Sequence, residues 1–130
     1  MKIHTSVGHY KASPEVLFNF LKQEENLPIW ASKFCSRIDK KANDYIITTT
    51  SKQELYFKIA SNAATGVIDM MAGPTREQMW GGSQRVISDN LGGSIFIFTL
   101  LQMPDQDEAE FDAGCLGLEE EFEILRTLVD

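Results

Sequence analysis

Asp69 is the residue whose type is least at home among its neighbours. It lies in the strand-like run Gly66–Ala72, and at strand spacing its neighbours are Val67 and Met71, both apolar. A carboxylate in such company needs a cation or hydrogen-bond donors. If this run pairs as a hairpin with Glu77–Ser88, Arg85 comes within reach. The two residues are then a structural ion pair, two separate surface charges, or the polar end of an apolar pocket. In a pocket, Asp69 could work as general acid–base while Arg85 steadies a developing anion.

No other spacing matches a known catalytic pattern. His4 and His9 have opposite strand parity, so they cannot both face inward. Neither histidine stands at metal-ligand spacing. Cys35 and Cys115 lie far apart, outside any C-x-x-C pattern, and are expected as free thiols in a reducing cytoplasm. The expectation is no metal and no cofactor. There is no P-loop, dinucleotide fingerprint or nucleophile elbow, and nothing arranges Ser, His and Asp as a triad. Acids at helix spacing, such as Glu119 and Glu123, read as a solvated face.

Composition narrows the partners. Lys plus Arg total 12 against 19 Asp plus Glu, a formal charge of −7. Phosphate binding needs a concentrated basic surface, so nucleic acid is a poor partner. The one basic group, Lys33, Arg37, Lys40 and Lys41, falls along one predicted hairpin and reads as solvated surface. No apolar run is long enough to span a bilayer. Met1–Lys11 alternates instead of forming the apolar block of a signal peptide. At 130 residues and 43% apolar content, the chain is read as a single domain over 1–130.

The positioning elements follow from hydrophobic period. Phe111, Cys115, Leu118, Phe122, Leu125 and Val129 recur at steps of four and three, one face of a long C-terminal helix within Asp105–Asp130. Asp105 with Glu108 supplies a capping-box pattern, and the other faces are acidic. Ile3–Tyr10 reads as a strand. Ser13-Pro14-Glu15 starts a helix with Val16, Leu17, Phe20 and Leu21 as its apolar face and Phe18 at the edge. Glu24–Trp30 is a second helical turn. Six strands follow: Phe34–Lys40, Tyr45–Thr50 with Asn43-Asp44 as the turn, Glu54–Ala60, Gly66–Ala72, Glu77–Ser88 with a bulge or bend at Gly81-Gly82, and Ser94–Met103. In Glu54–Ala60, residues Leu55, Phe57 and Ile59 point one way. Consecutive strands imply an antiparallel meander whose concave face only the long helix can cover.

This order resembles the helix-grip fold of the START-related SRPBCC superfamily, which includes polyketide cyclase/dehydrase-like proteins. Ala12-Ser13-Pro14-Glu15-Val16, then Phe20-Leu21 and Asn26-Leu27-Pro28-x-Trp30, resembles its entry segment. Gly66-Val67-Ile68-Asp69 resembles its mid-sheet strand. Arg85-Val86-Ile87 through Gly93-Ser94 to Phe98-Thr99-Leu100, then Glu110-Phe111 and the Glu-rich helix ending Leu125-x-x-Leu128, resembles its C-terminal half. The fold class expected is α+β: a seven-stranded curved antiparallel sheet, β-α-α-β6-α, around a long C-terminal helix.

The resemblance implies a cavity between sheet and helix for an apolar or amphipathic small molecule. The inward set is then Leu55, Phe57, Ile59, Phe96, Phe98, Leu100, Phe111, Cys115, Leu118 and Phe122. Trp30, Met70, Met71, Met79 and Trp80 are expected at the mouth or walls, and Asp69 with Arg85 at the polar end. Gly114 and Gly117 thin the helix beside the cavity or admit a close strand. The first functional reading is burial of a small ligand. The alternatives are a cyclase, dehydratase or hydrolase on a polyketide-like or aromatic substrate, and an interaction module with a filled core. Where relatives often carry a histidine after the mid-strand acid, this chain has Met70. Ile95, Ile97 and Leu101 leave one strand apolar on both sides, which predicts a homodimer contact on the outer face.

Overall fold

The computed structural model describes all 130 residues. Its elements are β1 Ile3–Tyr10, α1 Pro14–Leu21, a 3₁₀ turn Glu24–Asn26, α2 Leu27–Trp30, β2 Cys35–Lys41, β3 Asp44–Thr49, β4 Glu54–Asn62, β5 Val67–Gly73, β6 Gln84–Ser88, β7 Ser94–Leu101 and α3 Glu108–Val129. The strands form one seven-stranded antiparallel sheet in the order β1-β7-β6-β5-β4-β3-β2. This is a meander in which β1 closes against β7, and it agrees with the expected α+β helix-grip order.

One core joins the helices to one face of the sheet. Leu17, Phe18 and Leu21 of α1, Leu27 and Trp30 of α2, and Leu118, Phe122 and Leu125 of α3 pack with Tyr10, Ile47, Leu55, Phe57, Ile68, Met70, Val86 and Phe96. Alternation along each strand makes this the inner face. At 22 residues, α3 is about 33 Å long and spans the domain. It follows β1 from end to end. Lys2 Nζ meets Asp112 Oδ1 at 2.7 Å near one end; Asp130 accepts the Lys11 and Ala12 N–H groups, each at 3.1 Å, at the other.

Local chemistry explains the boundaries. Ser13 caps α1 by accepting the Val16 N–H, as expected. The α3 cap is Asp107, which accepts the Glu110 N–H at 2.8 Å, two residues later than the predicted Asp105. The sequence offers the same D-x-x-E spacing at both places. In α1, Phe18 is buried and Val16 is 52% exposed, so the buried face is rotated from the expected one. The β2–β3 turn uses Ala42 at positive φ, and Asp44 already belongs to β3. The predicted strand Glu77–Ser88 is broken. Trp80 makes an isolated bridge to Ala72, and regular β6 begins only at Gln84. Between them the backbone at Gly81 and Gly82 presses on the Met70 and Thr99 carbonyls, leaving no room for a Cβ.

Candidate functional site

The inner face is unevenly covered. At one end Phe96 stacks on Phe122, with centroids 5.1 Å apart, and meets Trp30 edge-on at 6.0 Å. Trp30, Phe96 and Phe122 are all at most 3% exposed. This end is filled. Towards the other end, Phe98, Leu100, Ile59 and Ala72 are only partly buried, although each lies on the inner face. The N-terminal half of α3 passes above Leu100. A Cβ on Gly114 would have only Leu100 Cδ2 nearby, at 3.9 Å. Cys115 is half-buried, whereas Phe111 is buried beneath Lys2. Gly117 answers a different need: it faces Lys33 in the α2–β2 loop, not a strand.

Polar groups border this half-buried patch. His4 and Ser6 occupy the inner face of β1 opposite Leu100 and Phe98. His4 Nε2 lies 3.0 Å from Glu119 Oε1 and 3.1 Å from Ser6 Oγ, and Ser6 donates its hydroxyl proton to the same Glu119 oxygen. The Ser6 bond, then His4, hold the Glu119 carboxyl below the usual carboxylate range. Ser, His and acid are thus brought together, which sequence spacing did not show. The geometry is not that of a nucleophile triad. There the serine proton must pass to histidine and the acid must bind the opposite ring nitrogen. Here one nitrogen faces both partners, and the serine proton is directed at the carboxylate.

The other flank of α3 carries Glu121, 3% exposed. Its Oε2 accepts the Lys33 and Phe34 N–H groups at 3.0 Å each. Burial pushes its pKa up to about 7, against the lowering effect of those two donors. This carboxyl ties α3 to the loop between α2 and β2. Nearby Cys35 is buried; desolvation raises its thiol pKa, and Sγ donates to the Arg37 carbonyl at 3.3 Å.

The expected Asp69–Arg85 pair is not formed. The register Ile59↔Met70 and Ala60↔Asp69 puts Met70 inside and Asp69 outside. Met71 shares the outer face with Asp69, so it does not line the interior. Asp69 Oδ1 accepts the Gln84 N–H at 3.3 Å, and exposed Arg85 donates from Nε to the Thr65 carbonyl at 2.9 Å. Neither has an ion-pair partner in the chain. Buried Gln84 supplies what sequence reading missed on the inner side. Its side chain accepts from Met70 N–H at 2.7 Å and donates to the Thr99 carbonyl at 3.3 Å, bridging the strands on either side. Of the expected mouth residues, Met79 is half-buried and Trp80 is 40% exposed. Two surface clefts of about 570 and 650 Å³ lie elsewhere, one between α1 and the β4–β5 turn, the other beside the β6–β7 turn and Arg126.

No protein-family model and no curated sequence matches the chain. Solved structures do. A START superfamily protein from Mycobacterium smegmatis superposes with a TM-score of 0.66 at 12% identity, over 98% of this chain and 96% of the other. The fold is the START-related helix-grip fold. Ara h 8.0201 matches with a TM-score of 0.66 at 14% identity, covering 98% of each chain. The Aha1 dimer protein from Colwellia psychrerythraea gives 0.71 at 14%, over 99% and 96%. Identities this low speak to the helix-grip architecture alone. No helix of the fold is long and apolar enough to cross a membrane.

Proposed function

We propose that the protein binds a small apolar or amphipathic molecule at the half-buried end of the inner sheet face, beneath the N-terminal half of α3. The observation that carries this reading is the gradient of burial along one apolar face. The Phe96 end is filled, while Ile59, Ala72, Phe98 and Leu100 retain solvent contact without a side chain of their own chain to complete the cover. Apolar area left in that state gains free energy when a ligand removes it from water. His4, Ser6 and Glu119 at the border would receive a polar group and orient the guest. The fold similarity to START-type proteins supports the same reading. Asp69 and Arg85 have no part in it, because they face away from the interior. The reading includes a cytoplasmic location, where Cys35 and Cys115 remain reduced.

Native mass spectrometry of the gently purified chain tests for a retained guest, and titration with the neutral dye Nile red tests the patch directly. The expected result is a retained mass, or one dye bound per chain with affinity reduced about tenfold or more in Leu100→Lys. Absence of both a retained mass and dye binding would overturn the reading. So would dye affinity unchanged by the substitution.

A further inference from the structure

All three helices pack on the inner face, which leaves the outer face of β1, β7, β6 and β5 without a cover. Strand register places Ile3 beside Leu101, Val7 beside Ile97 and Ile95 beside Ile87 on that face. Ile3 and Val7 are 65% and 63% exposed. Beside these apolar rows lie Asp69 and Arg85. Val67 pairs with Arg85, so Asp69, two residues further along β5, is the diagonal neighbour of Arg85 on the same face. Asp69 Oδ1 accepts the N–H of Gln84, the residue before Arg85, so the two charged residues are close neighbours. They carry opposite charges, and neither has an ionic partner in its own chain.

We propose that a second copy of this chain packs face to face on this surface, with Asp69 of each copy meeting Arg85 of the other. The charge pattern is what points to a second copy. A two-fold axis lying in the interface, across the line from Asp69 to Arg85, brings both opposite-charge pairs together at once. An isologous contact needs this self-complementarity. The exposed apolar side chains of this face then lose their water, and the two ion pairs set register and exclude other alignments. The formal charge of −7 does not oppose this arrangement. Its acids crowd α3, at Glu108, Glu110, Asp112, Glu119, Glu120 and Glu123, on the opposite side of the sheet.

The test uses the whole chain and its charge reversals, followed by light scattering and native mass spectrometry at high protein concentration. Wild type should show twice the 14.6 kDa chain mass. Asp69→Arg and Arg85→Asp should each raise the dimer dissociation constant by about 100-fold or more, because each places like charges opposite one another. Mixed in equal amounts, the two variants should form a heterodimer in which both pairs again join opposite charges, one as in wild type and the other with its charges exchanged. Val7→Asp, at a position already exposed in the single chain, should also give monomer without loss of fold. A monomeric wild type would overturn the proposal. A wild-type dimer indifferent to both reversals, or variants that remain monomeric when mixed, would overturn it as well.

Discussion

Glu119 and Glu121 are two residues apart on the same helix, yet their surroundings give them opposite acid–base behaviour. Glu119 turns toward β1, remains open to water, and is held below its ordinary pKa by Ser6 and then His4. Glu121 turns toward the α2–β2 loop, is buried, and is pushed up to about 7 by that burial, although two backbone N–H groups point at it. Donors outweigh desolvation at the first site, and desolvation outweighs donors at the second. The balance depends on how much water each carboxyl gives up, not on residue type.

The largest effect expected from this contrast is in pH dependence. The folded chain holds the Glu121 proton more tightly than the unfolded chain does. The stability from this group is therefore fully present below the unfolded value near 4.5 and is lost as pH rises towards 7. The loss should reach about 3 kcal/mol. Glu121→Gln keeps an oxygen acceptor and cannot ionise, so denaturant unfolding at pH 5 and pH 8 should show a much flatter profile in the variant. An identical pH profile in wild type and variant would contradict the buried carboxyl.

Glu121→Ala sharpens the contrast next. It leaves the Lys33 and Phe34 N–H groups without this acceptor and should cost about 2 kcal/mol at pH 5, read from the denaturation midpoint. A cost near zero would mean that the α3–loop tie is dispensable.

The smallest effect belongs to Glu119→Gln. Its bonds to His4 and Ser6 lie at a solvent-screened edge, so thermal melts at pH 7 should show a loss under about 1 kcal/mol. The sign of its pH dependence is opposite to that of Glu121. Its stabilisation is present above the ordinary carboxylate value and is lost as pH falls through the lowered folded value. If Glu119→Gln proves more damaging than Glu121→Ala, the two sites have been ranked the wrong way round.

Part of the Glu121 site was legible in the sequence. The position follows Leu118 by three and precedes Leu125 by four, the same spacing as the apolar stripe. Its period matches the buried face, yet residue type argues for water and sets it with the acids of the other faces, so its burial was not expected. Ser6 and His4 were legible as same-face neighbours in β1, but their meeting with Glu119 depends on how α3 lies along that strand. The Asp69 error has a different origin. Val67, Asp69 and Met71 alternate with Ile68, Met70 and Ala72, and both sets are largely apolar. Alternation alone therefore could not say which set faces the core. Register with β4 decided it, through Ile59 opposite Met70.

The sequence by itself determined the element order, the antiparallel meander and the apolar stripe of α3. These follow from local signals: period two in strands, the three-and-four spacing of a helix, Ser-Pro at a helix start, and glycines at turns. Only the tertiary structure decided which face of β5 is inner, where β6 begins, how far the interior is filled, and which glutamate loses its water. Each depends on groups distant in sequence brought within a few ångströms, where packing and desolvation act and local propensity is silent.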